Sequence, residues 1–225
     1  MGGRNGHSKT FMYLPIAFQE TNLEVLHALI RAHPLATLIT AGAGGLLANL
    51  VPFTVVDGGD KGILRAHIAK ANDQVNALSS GAETLVVFQG PEAYITHRGT
   101  RRSKNTDAWF PRGTTQSCRR VETPRVIDDS EWLRSQIHDL TTTQEHKRAE
   151  PWKVSDAPEP FISGQIRAII GVEIPISTIE GKWKVSQNRS AVDREGVEKG
   201  LREEGLNEEM ARLVVQRGAP PKQDG

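Results

Sequence analysis

The sequence has little of several features that would narrow its function at once. It has one cysteine, Cys118, in 225 residues, which excludes an internal disulfide framework and a cysteine-rich zinc site. No apolar run approaches the length of a membrane span. The net charge is only +1, so no global electrostatic drive favours nucleic acid or an anionic membrane. A reducing cytoplasm is therefore the simplest compartment.

Motifs for catalysis and nucleotide binding are also missing. The chain has no Walker-type phosphate loop, no G-x-S-x-G and no dinucleotide fingerprint. Glu145, His146 and Glu150 come nearest to a metal cluster, but their spacing fits no recognised ligand pattern, so we expect no metal site. The first ten residues lack the apolar core of a secretory signal. We expect residues 1–11 to be a disordered leader and residues 218–225 a disordered tail.

Short apolar runs separated by glycine turns predict a mainly β protein with flanking helices. The predicted strands lie at 36–40, 46–56, 62–68, 84–88 and 168–179, and Pro52 marks an edge or a bulge in the second. Predicted helices lie at 22–32, 72–78, from Asp128 or Asp129 to 140, and 160–168, with a loop over 141–150. This spacing favours a closed or half-open antiparallel barrel. The tail from Ser190 predicts two helices that divide near Gly205, with Asn207 as the cap of the second.

The segment from Gly181 to Ser190 is dense in hydrogen-bonding side chains and lies between a predicted strand and a predicted helix. Ser190 and Asp193 have the spacing of a capping box for that helix. Lys182, Lys184 and Arg189 bring three cations to its N-terminus, where backbone N–H groups favour an anion. These residues alone favour a solvated basic turn and an anion or partner site equally.

Five blocks of sequence together resemble one protein family. Gly181-Lys-Trp-Lys-Val-Ser-Gln-Asn-Arg189 is similar to the C-terminal E-G-K-x-K-x-S-Q-N-R of the PaiB-type proteins, which are FMN-binding negative transcriptional regulators of bacteria. The other four blocks precede it in the chain, in the order that the family has: Met12-Tyr-Leu-Pro15 with Phe18, Leu35-Ala-Thr-Leu-Ile-Thr40, His67-Ile-Ala-Lys-Ala-Asn72 and Val87-Phe-Gln-Gly-Pro-Glu-Ala-Tyr-Ile95. Their order is more specific than any single block.

The resemblance implies an FMN-binding split β-barrel with a C-terminal helical segment. It divides the chain into a barrel domain at 12–189 and a helical segment at 190–217. It also implies a cytoplasmic repressor that forms a homodimer with the flavin at the interface. The helical pair from Ser190 is a candidate module for DNA or a regulatory protein, although its acidic residues argue against direct phosphate contact. The alternative is a flavin-dependent oxidoreductase of the pyridoxamine-phosphate-oxidase-like class, in which the cofactor supplies the redox chemistry.

Carried onto this chain, the resemblance implies a set of FMN contacts. Lys70 is the expected phosphate ligand, with His67 and Asn72 beside it and Thr40 near the same end. Gln89, Gly90 and Tyr94 would border the isoalloxazine ring. The remaining expected contacts are Lys182, Lys184, Ser186, Gln187, Asn188 and Arg189. Without the resemblance, a structural histidine and a solvated lysine at a strand end are the preferred interpretations of His67 and Lys70. A simple hairpin turn at 89–91, with Tyr94 in the core, is then as ordinary as a flavin contact.

Residues 97–121 depart from the family pattern. The segment is rich in arginine and has almost no apolar periodicity, where the family has a P-x-W-Y element and then V-P-T-W-N-Y. One functional interpretation is a nucleic-acid-binding loop. The missing tryptophan-rich strands place the dimer packing and the flavin pocket in question.

A shifted reading frame accounts for this segment better than a new function. One allowed set of codons for Ala108 to Ser117 is GCG-TGG-TTC-CCA-CGT-GGA-ACT-ACG-CAG-TCG, and read from the third base of each codon it gives Val-Val-Pro-Thr-Trp-Asn-Tyr-Ala-Val. In the same way, the allowed codons CAC-CGT-GGT-ACC for His97 to Thr100 contain Pro-Trp-Tyr in the shifted frame. We therefore hypothesise that residues 97–121 are translated out of frame, and that their arginines are poor evidence for DNA binding.

Overall fold

The structure is a computed structural model that describes residues 12–93, 95, 124–203 and 207–218, and the backbone alone of residues 112–119. The described residues fall into two compact units. The smaller unit is built from described residues within 1–20, 91–114 and 182–225, and the larger unit from those within 21–90 and 115–181.

The chain alternates strands and helices. Its strands are β1 (Gln19–Glu20), β2 (Leu35–Gly42), β3 (Gly45–Pro52), β4 (Thr54–Val56), β5 (Ile63–Ala69), β6 (Thr84–Ala93), β7 (Arg112–Arg119), β8 (Arg125–Ile127), β9 (Ile169–Pro175) and β10 (Thr178–Lys182). Its helices are α1 (Leu23–Ala32), α2 (Gln74–Ser79), α3 (Ser130–Glu145), α4 (Glu159–Ala168), α5 (Ala191–Glu203) and α6 (Glu208–Gly218). Short 3-10 helices lie at Ile16–Phe18 and Val154–Asp156.

Side-chain caps fix where the larger unit's long helices begin. Asn22 Oδ1 accepts hydrogen bonds from the backbone N–H of Glu24 at 2.9 Å and of Val25 at 3.3 Å at the start of α1. Asp129 Oδ1 accepts from the Trp132 N–H at 2.7 Å at the start of α3. Asp129 is one of the two caps that the sequence predicts.

One sheet of the larger unit contains β6, β2 and β3 in that order, all antiparallel. Its register places Leu35 opposite Pro52, and Ala36 opposite Phe88 on the other side. One face of these strands forms the core, since Leu38, Val86 and Phe88 are almost fully buried. Gly45, with φ of +111°, closes the β2–β3 hairpin in a conformation that favours glycine.

The second sheet of the larger unit has the order β4-β5-β9-β8 and is also antiparallel. Helices α3 and α4 flank it, and Leu133, Val154, Ile162 and Ile166 form a buried cluster there. The ring of Trp132 lies directly over Gly171 of β9, where an added Cβ would approach it to 2.3 Å. This glycine is needed because the aromatic ring packs against the strand backbone.

In the smaller unit, α5 and α6 pack as a helical pair. Val197 and Leu201 of α5 and Met210 and Val214 of α6 are almost completely buried. Asn207 Oδ1 caps α6 by accepting from the Met210 N–H at 2.9 Å, as the sequence predicts. The two-helix C-terminal segment is therefore confirmed.

The predicted fold class, mainly antiparallel sheet with flanking helices, is confirmed. The predicted strand at 46–56 is two strands in different sheets, because Pro52 has no N–H to continue the ladder and Phe53 turns inward to 1 % exposure. The predicted loop at 141–150 is wrong for its first half. Helix α3 continues through Glu145, and the Thr143 hydroxyl bonds back to the Asp139 carbonyl at 2.8 Å.

Several predictions fall wholly or largely on residues outside the described part of the chain. They are the disordered leader at 1–11, all of the predicted tail after Gly218, and Tyr94. Most of the anomalous segment at 97–121 also lies outside it. Within that segment the backbone of Arg112–Arg119 forms strand β7, where the sequence shows no strand pattern.

Candidate functional site

In the larger unit, the predicted phosphate ligand lies at the exposed end of β5. The Lys70 ammonium is 2.7 Å from Asp128 Oδ1, and the two side chains are 39 % and 64 % exposed. The Lys70 backbone N–H donates to the Ala168 carbonyl at 2.9 Å, which fixes the base of the side chain. An exposed ion pair of this kind contributes only about 0–1 kcal/mol. A phosphate group can therefore compete with Asp128 for this cation.

His67 lies on β5, on the same side of the strand as Arg65. Its Nδ1 is 2.7 Å from Oε1 of Gln136, a residue of α3 that is 2 % exposed. The amide nitrogen of Gln136 is buried and has no hydrogen-bond partner among the described residues. A buried amide without a partner costs about 1–3 kcal/mol, so a ligand atom or a water here would be favourable. Gln136 was not predicted from the sequence.

Asn72 and Thr40 lie nearby and contact helix α2. Asn72 Oδ1 accepts from the Gln74 N–H at 2.9 Å. The Thr40 hydroxyl is fully buried, 3.3 Å from Gln74 Nε2. The same Gln74 amide donates to the carbonyls of Leu38 at 2.9 Å and Leu47 at 3.2 Å. The described contacts of both predicted residues are therefore structural, and their contact with a cofactor stays a prediction.

The predicted ring-border residues lie on β6. Gln89 is exposed and Gly90 is buried, which follows from the alternation of the strand. The structure therefore places the glutamine amide on the outer face of this sheet. No described contact tests either residue as a flavin ligand.

An ionic cluster that was not predicted from the sequence lies beside His67. Glu173 of β9 is 4 % exposed and accepts from Arg65 Nε at 2.8 Å and from Arg125 at 3.1 Å. The Trp132 indole N–H also faces Glu173 Oε1, at 3.3 Å, and the Arg65 guanidinium lies 5.7 Å from the Trp132 ring centroid. Two cations on one buried carboxylate leave this surface with a net positive charge. Arg65 and His67 are two positions apart, and residues at this spacing share one face of a strand. This spacing is the feature of the sequence that could have indicated the cluster.

In the smaller unit, the predicted contacts begin with Lys182. Its ammonium donates to the Tyr13 carbonyl at 2.7 Å and lies 5.6 Å from the centroid of the Tyr13 ring. Trp183 follows, 2 % exposed, with the Arg217 guanidinium 4.3 Å from its ring centroid. Arg217 also forms an ion pair with Glu20 at 2.6 Å. These contacts anchor the start of the 181–190 segment.

The middle of the segment is held by its own side chains. Gln187 accepts from the Val185 N–H at 2.8 Å and donates its amide to the Trp183 carbonyl. The Arg189 N–H donates to the Ser186 carbonyl at 2.9 Å. Asn188 is exposed, while Lys184 is half-buried and has contacts of its own. The described role of Gln187 is therefore to shape the turn.

Ser186 is the strained residue of this turn. It has a φ of +66°, a left-handed conformation that costs a non-glycine residue about 1–3 kcal/mol. Its side chain is fully buried, and the hydroxyl has no hydrogen-bond partner among the described residues. An unsatisfied hydroxyl beside basic residues is compatible with a polar ligand group.

The predicted capping box closes the segment. The Ser190 hydroxyl accepts from the Asp193 N–H at 3.2 Å and donates to the Asp193 carboxylate at 2.8 Å. Arg194 then donates to the Arg189 carbonyl at 2.6 Å. These bonds confirm the predicted start of α5 and fix the end of the basic turn.

The predicted contacts therefore form two sets, one in each unit. In the larger unit His67 lies on β5 beside the ionic cluster, and Lys70 and Asn72 follow at the end of that strand. In the smaller unit residues 182–189 form the basic turn. Across the described part of the chain, His, Cys, Asp and Glu side chains form no group of three suited to a metal ion. Within that same part, no helix has both the length and the apolar character required to cross a membrane.

Comparison with known proteins identifies the family. Residues 12–178 match the family described as "Putative FMN-binding domain". The chain is 31 % identical over 245 residues to an uncharacterized protein of Emericella nidulans, covering 92 % of this chain and 98 % of that protein. It is 26 % identical over 205 residues to "Protease synthase and sporulation protein PAI 2" of Bacillus subtilis, covering 90 % and 96 %.

Solved structures support the fold. The FAD and heme binding protein from Mycobacterium smegmatis matches with a TM-score of 0.55 at 20 % identity, over 74 % of this chain and 73 % of that chain. The flavocytochrome Anf3 from Azotobacter vinelandii matches with a TM-score of 0.50 at 18 % identity, over 74 % and 69 %. The expected split-barrel fold and PaiB-type resemblance are confirmed. The expected bacterial source is not confirmed, since relatives also occur in fungi.

Proposed function

The chain belongs to the FMN-binding domain family, and we propose that it binds FMN and acts as a PaiB-type negative regulator of transcription. The family match over residues 12–178 is the observation that carries the flavin part. Bound FMN would supply the redox chemistry of its isoalloxazine ring. We further propose a cytoplasmic location, supported by the single cysteine.

The donor set fits a flavin phosphate. Lys70 presents a solvent-facing ammonium at the end of β5, paired with the exposed carboxylate of Asp128. His67 and the amide of Gln136, whose nitrogen has no partner among the described residues, supply further polar atoms in the same unit. In the smaller unit, the Ser186 hydroxyl, likewise without a partner in the described part of the chain, and its basic neighbours form a second polar set. In this proposal Lys70 binds the phosphate, and the His67–Gln136 pair orients the cofactor.

Three variants test the role of Lys70 in an FMN titration followed by flavin fluorescence. Lys70→Met keeps the side-chain length but removes the charge, so we expect the Kd to rise about 10- to 100-fold, the loss of one charged hydrogen bond. Asp128→Asn removes the competing carboxylate and should lower the Kd about 2- to 5-fold. Lys199→Met, at an exposed lysine of α5 paired with Glu203, is the control and should leave the Kd unchanged.

Flavin binding, the placement of the phosphate and the alternative function are each decided by a different result. Absence of saturable binding by the wild-type chain would refute the flavin function. Equal affinities of wild type and Lys70→Met would refute the placement of the phosphate. Turnover of NAD(P)H by the flavin-loaded protein would establish the alternative, a flavin-dependent oxidoreductase.

The regulatory part has its own test. The C-terminal pair α5 and α6 is the proposed contact with DNA or with a regulatory protein, and Glu203, Glu208 and Glu209 favour a protein. Selection from random duplex DNA with the purified chain should enrich a defined sequence if the chain binds DNA directly. Recovery of unenriched DNA would restrict regulation to a protein partner.

A further inference from the structure

The hydrogen bond between His67 and Gln136 fixes where the proton of the imidazole lies. Nδ1 of His67 is 2.7 Å from Oε1 of Gln136, a side chain of α3 that is 2 % exposed. An amide oxygen can only accept a hydrogen bond, so Nδ1 carries the hydrogen. A neutral imidazole has a single N–H, and its other nitrogen is then an acceptor. Neutral His67 therefore presents a lone pair at Nε2, to which the described residues donate no hydrogen bond.

His27 of α1 is held in the opposite form. Its Nε2 is 2.9 Å from the Lys61 carbonyl oxygen, so here Nε2 carries the hydrogen and Nδ1 the lone pair. The ring of His27 is 8 % exposed. The oxygen that each ring faces thus selects a different tautomer in the same unit, and His27 provides an internal reference for His67.

The His67 ring and the Lys70 ammonium both turn toward the start of helix α3. His67 contacts Gln136 of that helix, and Lys70 pairs with Asp128, two residues before the helix begins. Three residues of a strand span about 10 Å. A lysine side chain and one phosphate group together bridge such a gap, so the two side chains suit opposite sides of one phosphate.

The charged groups around His67 come from three strands and from the residues that follow them. They are Arg65 of β5, Lys70 after it, Glu173 of β9, Arg125 of β8 and Asp128 after it. Strand β4 adds none, and α3 presents the uncharged Trp132 and Gln136 here. Three cations against two carboxylates leave one positive charge. Both carboxylates are paired with these cations, and within the described part of the chain neither forms an ion pair with His67.

We propose that binding of the FMN phosphate takes up one proton, which enters at His67 Nε2, and that Gln136 is the positioning residue that enforces this uptake. A phosphate monoester is mostly a dianion above about pH 7, since its second proton leaves near about pH 6. Its oxygens and the Nε2 lone pair are then both acceptors. A hydrogen bond between them forms only when one proton enters from solvent.

Gln136 makes this uptake unavoidable. Its Oε1 accepts the Nδ1–H of the neutral ring and of the protonated ring alike. A ring held in this way cannot supply Nε2 with a hydrogen by moving its own proton from Nδ1. This inference rests on the proposed function, because it places the FMN phosphate between Lys70 and His67.

Isothermal titration calorimetry of the full chain counts the protons. Titrations with FMN at about pH 7.5, in two phosphate-free buffers of different ionisation enthalpy, should give an uptake of about one proton for each FMN bound. Riboflavin has no phosphate and should give none. Because one proton is linked to binding, the Kd for FMN should rise about tenfold from about pH 7.5 to about pH 8.5.

Three variants separate positioning from packing. Gln136→Leu keeps a buried side chain but removes the acceptor, so neutral His67 is free to carry its proton at Nε2 and to donate it to the phosphate. The proton uptake and the pH dependence of Kd should then disappear, whereas loss of a residue that only packs would weaken binding and leave both. His67→Gln, whose amide donates without taking up a proton, should lose both as well. His138→Gln, at a side chain of α3 that is 65 % exposed, is the matched control and should keep both.

Nitrogen-15 NMR of the free chain tests the tautomer without any flavin. A ring nitrogen that lacks a proton resonates far downfield of one that carries it. At about pH 8.5 the bare nitrogen should be Nε2 in His67 and Nδ1 in His27. A His67 ring with its proton on Nε2 would overturn the proposal, because the Gln136 amide would then donate to Nδ1 instead.

Two further results would overturn the proposal. One is FMN binding by the wild type with no proton uptake, and the other is an uptake that Gln136→Leu leaves intact. Circular dichroism melting of each variant ensures that a changed affinity is not a loss of fold. If FMN does not bind, the proposed function is refuted, and a titration with inorganic phosphate decides this inference separately. A proton gained at His67 Nε2 would then support it, and an unchanged Nε2 signal would overturn it.

Discussion

One added methyl group at Gly171 should strongly destabilise the folded chain. It lies on β9, and the Trp132 ring covers it so closely that a Cβ would lie 2.3 Å from Cζ3 and 2.7 Å from Cε3. Carbon atoms in favourable contact are about 3.5–4.0 Å apart, so the ring of a Gly171→Ala variant must move by roughly 1 Å or more. Trp132 is a rigid ring, and its indole N–H faces the buried Glu173 carboxylate.

The expected cost follows from these contacts. Overpacking a core site costs about 1–3 kcal/mol. Displacing the ring also weakens its contact with Glu173 and with the Arg65 guanidinium, which adds roughly 1–2 kcal/mol. Replacing glycine in a strand returns about 0.5–1 kcal/mol through the entropy of the unfolded chain. The net destabilisation is therefore about 2–3 kcal/mol, which lowers the Tm of a protein of this size by about 5–10 °C.

Differential scanning calorimetry measures this change in Tm. Two other glycines provide controls at which the same substitution should raise the stability. At Gly164 in α4 the nearest atom to an added Cβ is 3.9 Å away, and at Gly200 in α5 none lies within 4 Å. Gly164→Ala and Gly200→Ala should each raise stability by about 0.5–1 kcal/mol, since alanine favours a helix. If Gly171→Ala is as stable as the wild type, the packing of Trp132 on β9 described above is incorrect.

Three further predictions concern other parts of the chain. Gln74→Leu removes a buried amide bonded to two carbonyls and to Asn49, and should lower the free energy of unfolding in urea by about 2–4 kcal/mol; an unchanged midpoint would contradict this. Hydrogen bonds from Arg134 lower the pKa of Glu159, so its stabilising contribution is present at neutral pH and disappears as the pH falls through that lowered pKa. The difference in urea midpoint between Glu159→Gln and the wild type should accordingly shrink in acid. A difference that stays constant with pH would contradict this stabilising role of Glu159. Sequencing the coding DNA should show codons for residues 97–121 that contain Val-Pro-Thr-Trp-Asn-Tyr in the alternative frame, and incompatible codons would disprove the shifted frame.

Local chemistry was predictable from the sequence. The Ser190–Asp193 capping box and the Asn207 cap depend on residues within one helical turn, so their spacing alone determines them. The strands around the glycine turns were predictable because their apolar runs and the turn glycines are also local features of the sequence. The extension of α3 to Glu145 was not, because three successive threonines lower the helix propensity and their backbone bonds are not visible in a pattern.

The surroundings of the candidate site depend on residues far apart in the chain. The His67–Gln136 contact spans 69 positions and the Arg65–Glu173 pair spans 108, so no local window contains them. The pairing of Lys70 with Asp128 likewise appears only after folding. Family resemblance pointed to Lys70 and His67, whereas only the structure reveals the buried amide and the buried carboxylate beside them.

Comparison of FMN with riboflavin tests the proposed binding of the FMN phosphate at Lys70. Riboflavin has the same ring but no phosphate. We expect the wild type to bind FMN at least about 10-fold more tightly than riboflavin, which is the contribution of a charged hydrogen bond. Lys70→Met should remove that preference without changing the affinity for riboflavin. Equal affinities for the two flavins in the wild type, or no saturable binding of either, would contradict the claim.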